Sequence, residues 1–296
     1  MRSGTVAVIG KANAGKSTLI NVLVGEKIAI VSPKPQTTRD RILGISTRED
    51  YQIVFVDTPG IYRQRNALTE LMMKTTETTS RDVDAILFVH DGHAGIHEDD
   101  VELMKKYLSL GLPAIIAYTK IDIMPRENIP MDVKALFDAG VTADVYPVSA
   151  RKGMNLKKLE QAIVEMLPEG EPLYSEDIVS DRSEKFMIAE LMREKILLKY
   201  EKEIPHGVAI VVNTFAKGES GVYEVNLDIV CEKKNHKAII IGKQGQALKE
   251  VASFARKDME KFLGAKVFLT VYVKVKEDWR DKQSLMKEFG YRQDDL

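Results

Sequence analysis

Eight residues, Gly10-Lys11-Ala12-Asn13-Ala14-Gly15-Lys16-Ser17, constrain this chain more than any other feature. They fit G-x-x-x-x-G-K-[ST] without mismatch, directly after a strand-like run at 5–9 and before a helical stretch at 17–24. Strand, glycine-rich turn and helix in that order commit the first part of the chain to an α/β layer. Glycines let backbone N–H groups curl around phosphate oxygens, and the helix N-terminus adds a favourable dipole. Lys16 is placed to pair with β- and γ-phosphates, and the Ser17 hydroxyl to ligate magnesium.

The surrounding pattern agrees. Short apolar runs at 6–9, 53–56, 85–89, 114–118 and 145–148 alternate with amphipathic stretches such as 101–108 and 156–167. Runs of this kind suit strands covered on both faces, so a mostly parallel sheet wrapped by helices is expected. Pro168-Glu169-Gly170-Glu171-Pro172 then breaks the pattern. The expected organisation is a first domain over 1–170, a linker over 171–182 and a second domain over 183–296.

Three further segments sit at strand ends, where open α/β sheets bind ligands. Asp57-Thr58-Pro59-Gly60 offers a carboxylate that reaches magnesium through water and an N–H from Gly60 for the γ-phosphate. In Thr119-Lys120-Ile121-Asp122, Asp122 can accept from the ring N–H and the exocyclic amine of guanine. Adenine would set an acceptor against that carboxylate, so this one residue selects the base. Ser149-Ala150-Arg151 follows the next strand, with the Ala150 amide available to the guanine carbonyl. The candidate catalytic set is Lys16, Thr38 and Gly60, and the candidate magnesium set is Ser17, Thr38 and Asp57.

The second domain reads as α+β. Asp181 or Ser183 is the expected cap of a helix in which Phe186, Ala189, Met192 and Ile196 share a face. Strands are expected at 208–215 and 223–230, joined through a turn at 217–221, and again at 267–275. A helix-or-strand segment at 238–241 leads into Gly242-Lys243-Gln244-Gly245 and a long helix at 246–263. G-x-x-G loops of KH domains clamp single-stranded nucleotides by their backbone. Gly92–Gly95 and Gly218–Gly221 also fit G-x-x-G, but the first follows a strand and the second reads as a hairpin turn. Net charge is -1, yet Lys and Arg clearly outnumber Asp and Glu between 233 and 282, the local excess that an RNA site needs. Ile241, Gly242, Lys243, Gln244, Gly245, Lys249 and Arg256 are the candidate RNA contacts; the alternative is a solvated helix face.

Together these motifs resemble the Era family of bacterial ribosome-assembly GTPases, over almost the whole chain. Pro35-Gln36-Thr37-Thr38-Arg39 resembles that family's switch I, which makes Thr38 the better candidate for the switch threonine and Thr37 the runner-up. Asp181-Arg182-Ser183, Ala255-Arg256-Lys257-Asp258-Met259, Val273-Lys274-Val275-Lys276 and Gly290-Tyr291 extend the likeness. The resemblance implies a P-loop GTPase domain followed by a type II KH domain. It also implies GTP, GDP and Mg2+ as ligands, and binding near the 3′ end of 16S ribosomal RNA in maturation of the small ribosomal subunit. A cytoplasmic protein with peripheral contact to the inner membrane and no obligate protein partner would follow.

Two positions depart from the expected pattern. Thr119 stands where the family usually has Asn. Ile61 follows Gly60, where Ras-like enzymes place a water-orienting Gln, and an aliphatic side chain cannot do that. Slow intrinsic hydrolysis is expected unless another group substitutes: K+ held with help from the Asn13 carbonyl, or Arg39 or Arg41. The alternative for Asn13 is loop stabilisation. Rival readings are an RNA-binding scaffold with little turnover and a membrane-associated cell-cycle or stress GTP switch.

A single cysteine, Cys231, excludes an intramolecular disulfide and a cysteine zinc site. Residues 1–4 lead straight into a strand without the apolar core of a signal peptide, and no run approaches the roughly 18 apolar residues of a membrane span.

Overall fold

The computed structural model describes residues 1–60, 66–80 and 82–291. The chain divides into two compact units. One comprises Met1–Ala29, Thr38–Arg63 and Met72–Asp181; the other comprises Ile30–Thr37, Gln64–Leu71 and Arg182–Leu296. Two short segments expected in the first domain, around 30–37 and 66–71, thus cluster with the second.

The first unit alternates strands and helices: β1 (Arg2–Ile9), α1 (Lys16–Val24), β2 (Ile42–Thr47), β3 (Tyr51–Asp57), α2 (Ala67–Thr79, which begins in the second unit), β4 (Ala85–Asp91), α3 (Glu98–Leu108), β5 (Ala114–Thr119), α4 (Asn128–Asp138), β6 (Asp144–Pro147) and α5 (Leu156–Met166). The strand order is β2-β3-β1-β4-β5-β6. Only β2 runs antiparallel to its neighbour. The order reverses about β1, so the turn after β1 opens at the switch point where such sheets bind ligands. Val6, Ala7, Val8 and Ile9 are all fully buried, as a central strand covered on both faces requires. Ala7 and Ile9 join Val54, Val56, Met104, Tyr107 and Leu136 on one face, and alternation turns Val6 and Val8 to the other.

The second unit adds α6 (Glu184–Lys199), β7 (Val208–Lys217), β8 (Tyr223–Cys231), α7 (Lys234–Ile241), α8 (Gln246–Leu263), β9 (Val267–Val275) and α9 (Gln283–Glu288). Its sheet order is β7-β8-β9, antiparallel then parallel. The parallel pair needs a crossover, which α7 and α8 supply. Residues 238–241, open between helix and strand in the sequence, are the end of α7. Ser183, not Asp181, caps α6, accepting a hydrogen bond from the Phe186 amide at 3.2 Å. The Asp181 carboxylate instead accepts from the Leu43 amide at 2.9 Å. The core face of α6 is Ile188, Leu191, Met192 and Ile196, against Val225, Leu227, Ile229, Val251, Ala255 and Met259. Phe186 is left half-buried, with the Arg182 guanidinium 4.9 Å from its ring centre.

Candidate functional site

Between β1 and α1 the chain makes a turn that only particular residues permit. A Cβ on Gly10 would lie 2.2 Å from the Val89 carbonyl oxygen. Gly15 caps α1 in the left-handed region, φ 97° and ψ 16°, without a side-chain cap bond. Glycine has no side chain with which to cap the first amides of α1, an arrangement suited to an anion. Gly60 fits against the turn: a Cβ there would lie 2.9 Å from Ala12 Cα.

Lys16 is buried, with Nζ donating to the carbonyls of Gly10 at 3.0 Å and Lys11 at 3.1 Å. Burial lowers its pKa to about 8, although Asp57 pulls the other way. A phosphate beside this ammonium would restore its usual basicity. The Lys11 side chain points elsewhere, pairing with Asp100 at 2.7 Å.

Three oxygens meet beside Lys16. Ser17 Oγ lies 2.9 Å from Thr38 Oγ1 and donates to Asp57 Oδ2 at 2.9 Å, while Thr38 Oγ1 donates to the same carboxylate oxygen at 3.3 Å. Thr37 turns away, its hydroxyl donating to the Lys34 carbonyl at 2.6 Å. Asp57 is fully buried, and burial raises its pKa against the opposing effects of Lys16, Ser17 and Thr38. Its Oδ1 is buried with no hydrogen-bond partner among the described residues. A hard, all-oxygen donor set with one orphaned carboxylate oxygen fits Mg2+. Thr58 anchors the strand end by donating to the Val8 carbonyl at 2.8 Å, and the Pro59 carbonyl accepts from Thr76 at 3.3 Å.

The base-reading segments lie at the ends of β5 and β6. Ser149 Oγ donates to Asp122 Oδ1 at 2.6 Å, and this bond lowers the Asp122 pKa, with help from Arg151 and Lys152. Asp122 is thus held as an anionic acceptor. Ala150, next in the chain, is half-exposed. Thr119 Oγ1 lies 2.7 Å from the Ala14 carbonyl and 3.0 Å from that of His90, tying β5 to the phosphate turn. Lys120 Nζ donates to the Asn13 carbonyl at 2.8 Å and pairs with Asp91 at 2.5 Å. These two straps were not expected from the sequence, where Thr119 stood out only as a departure. Ile61 lies outside the described residues.

In the second unit, Lys243–Gly245 form a 3-10 turn between α7 and α8. Gly242, at φ 71°, ends α7, and a Cβ there would lie 2.6 Å from Ala247 Cβ. Lys243, Gln244 and Lys249 are exposed, and Ile241 is half-buried. Arg256 sits about two turns beyond Lys249 on α8, with its guanidinium engaged by Glu260 at 3.2 Å. The structure therefore presents Lys243, Gln244 and Lys249 to solvent beside the turn and binds Arg256 within the helix.

A model of the 50S ribosome-binding GTPase family matches residues 5–120, and a KH domain model matches residues 203–280. Over 292 residues the chain is 42% identical to GTPase Era of Clostridium kluyveri, covering 99% of this chain and 100% of that one. This chain belongs to the Era family of GTPases. GTPase Era of Clostridium novyi is 41% identical over 292 residues, covering 99% of each chain. Among solved structures, an Aquifex aeolicus Era variant bound to GDP·AlF4− matches with a TM-score of 0.93 at 38% identity, covering 98% of this chain and 99% of that one. An Era complex with MgGDPNP and nucleotides 1506–1542 of 16S ribosomal RNA matches with the same score, identity and coverage. The architecture expected of the Era family, a mostly parallel P-loop sheet followed by a KH domain, is the one observed.

Proposed function

We propose that this chain hydrolyses GTP to GDP and phosphate, and couples that cycle to binding 16S ribosomal RNA near its 3′ end during maturation of the small subunit. The observation that carries the first half is the meeting of Ser17, Thr38 and Asp57 oxygens beside the buried Lys16. Residues 10–17 hold the phosphates, Lys16 offsets charge on the β- and γ-oxygens, and the Gly60 amide meets the γ-phosphate. Asp57, Ser17 and Thr38 would hold Mg2+, which supplies charge neutralisation across the same oxygens when bound. Water is the nucleophile, and positioning supplies most of the rate. Asp122, Ser149 and Ala150 select guanine.

The exposed Lys243-Gln244 pair supports the second half, as does the relative solved with 16S RNA. One of the matching family models names the 50S subunit instead. The Era relative covers nearly the whole chain at 38% identity, whereas that model spans 5–120, so the small-subunit reading carries more weight.

Potassium is part of the proposal. With Ile61 in place of a water-orienting amide, K+ near the Asn13 side chain would take over part of an arginine finger's role, and Arg39 and Arg41 are its rivals. Peripheral association with the inner membrane rests on the resemblance alone; among the described residues no helix is long and apolar enough to cross a membrane.

The experiment is single-turnover phosphate release with and without Mg2+, in matched K+ and Na+ salts, with and without a 16S 3′-end RNA. Hydrolysis requiring Mg2+, faster in K+ and losing that advantage in Asn13→Ala, is the expected result. Equal rates in both salts would sink the potassium role, and no turnover in any condition would favour the RNA-binding scaffold.

A further inference from the structure

α6 carries three charged residues that are buried, Glu190, Arg193 and Glu194. Helices of small domains seldom bury such groups without a specific task for them. Arg193 is 1% exposed. Its Nε donates to Glu190 Oε1 at 2.7 Å and its Nη2 to Glu190 Oε2 at 2.5 Å, so the carboxylate fixes the plane of the guanidinium. The remaining donors face segment 30–37, which belongs to the same compact unit. Nη1 donates to the Gln36 carbonyl at 3.1 Å, and Nη2 to the Thr37 carbonyl.

Segment 30–37 is anchored along its length to α6 and the residues that follow. The Val31 amide donates to Glu194 Oε1 at 3.0 Å. Lys34 Nζ donates to the Tyr200 carbonyl and pairs with Glu201 at 3.2 Å. Gln36 itself is buried and sits at φ 61°, a left-handed backbone that a non-glycine residue keeps only where its surroundings impose it. The two carbonyls that follow from that turn need donors, and the guanidinium is the group that supplies them.

The next residue is Thr38, whose hydroxyl meets Ser17 and Asp57. We propose that Arg193 is a positioning residue for GTP hydrolysis, fixing the Gln36–Thr37 backbone so that Thr38 presents its hydroxyl to the magnesium site. Arg193 acts through the peptide link to Thr38. The inference rests on the proposed role of Thr38 at Mg2+. Lysine cannot replace arginine here. One ammonium cannot hold a carboxylate in a fork and reach two successive carbonyls in fixed geometry.

The test uses the full chain with Arg193→Lys, Arg193→Met and the paired Glu190→Gln, Arg193→Met, which avoids a buried unpaired carboxylate. Each is measured alone and with Thr38→Ala, by single-turnover hydrolysis, GTP affinity and a Mg2+ titration, after thermal unfolding has shown a folded state. Hydrolysis should fall by about 10- to 100-fold, with a weaker apparent Mg2+ affinity and GTP affinity held within about 3-fold by the phosphate turn and Asp122. Arg193→Lys should fail to rescue, and the loss should disappear in the Thr38→Ala background. Wild-type hydrolysis and Mg2+ dependence in any folded Arg193 variant would overturn the inference, as would an equal fold-loss with Thr38→Ala present. If Thr38→Ala alone leaves hydrolysis and Mg2+ dependence intact, the Thr38 reading itself has failed.

Discussion

Two turns in this molecule are built alike and behave differently. Gly15 and Gly245 each start a helix from the left-handed region, at φ 97° and φ 76°, and neither helix has a side-chain cap bond. Each turn carries a lysine close to its glycine, Lys16 after Gly15 and Lys243 before Gly245, and each is proposed to meet phosphate. In the first, Lys16 is buried, its pKa is lowered to about 8, and hydroxyl and carboxylate oxygens converge beside it. In the second, Lys243 and Gln244 stand in solvent. Burial suits the first turn to the bond-breaking proposed for it, where fixed groups act at low dielectric. Exposure suits the second to a polymer held by its backbone, in which each contact is modest and screened by salt.

The largest expected effect falls on the buried turn. Lys16→Ala should slow single-turnover hydrolysis by at least about 10²-fold while RNA affinity measured without nucleotide stays at the wild-type level. A parallel loss of RNA binding would break the comparison by showing that the two turns do not act as separate sites. Next, Asp122→Asn should move nucleotide preference from GTP towards XTP by about 10²-fold, read by competition binding. An unchanged ratio would remove Asp122 from base selection.

The exposed turn should respond more gently. Replacing Lys243 and Gln244 together with Asp should weaken binding of a single-stranded 16S 3′-end RNA by about 10-fold or more and lower the slope of log affinity against log salt by about 0.7 for the lost cation. GTP hydrolysis measured without RNA should be unaffected. Wild-type RNA affinity in this folded variant would exclude the loop as the clamp.

The smallest effect sharpens the role of burial. The Lys16 pKa is lowered on folding, so between about 8 and 10.5 the unfolded chain keeps a proton that the nucleotide-free folded protein has released. This group therefore favours the unfolded chain below about 8, and that penalty fades as pH rises through the window. If nucleotide phosphate binds beside Lys16 as proposed, it restores the ammonium and takes a proton up. Calorimetry at about pH 9 should give a binding enthalpy that depends on the buffer, with uptake of somewhat less than one proton, and little of either at about pH 7. No buffer dependence at the higher pH would mean that burial does not deprotonate Lys16.

The phosphate turn was legible because phosphate chemistry asks for neighbouring residues: a close backbone, a lysine and a hydroxyl within eight positions. The glycine loop was less so, since G-x-x-G occurs three times and only its flanking helix and charge single one out. β2 was missed because Gly44 interrupts an apolar run; the glycine is there because a Cβ would lie 2.4 Å from Ile28 Cδ1. Thr119 stood out only as a departure and proves to be a strap, a role visible only once β5 lies beside the Ala14 and His90 carbonyls. Arg193 was illegible for a deeper reason. Charged residues on a helix read as a solvated face, and its backbone partners are carbonyls, which leave no trace in residue type.

Arg193 also lies 157 residues after Gln36, and that separation has a consequence for synthesis. The last strand of the larger sheet ends at Pro147, before α6 has been translated. At roughly 5–20 residues per second, the guanidinium arrives on the order of ten seconds after the carbonyls it binds. A nascent chain thus passes through an interval in which the strands of its first unit have all been made while segment 30–37 still lacks its Arg193 anchor. On the role proposed for Arg193, a nascent chain that captured GTP within that interval would hydrolyse it slowly.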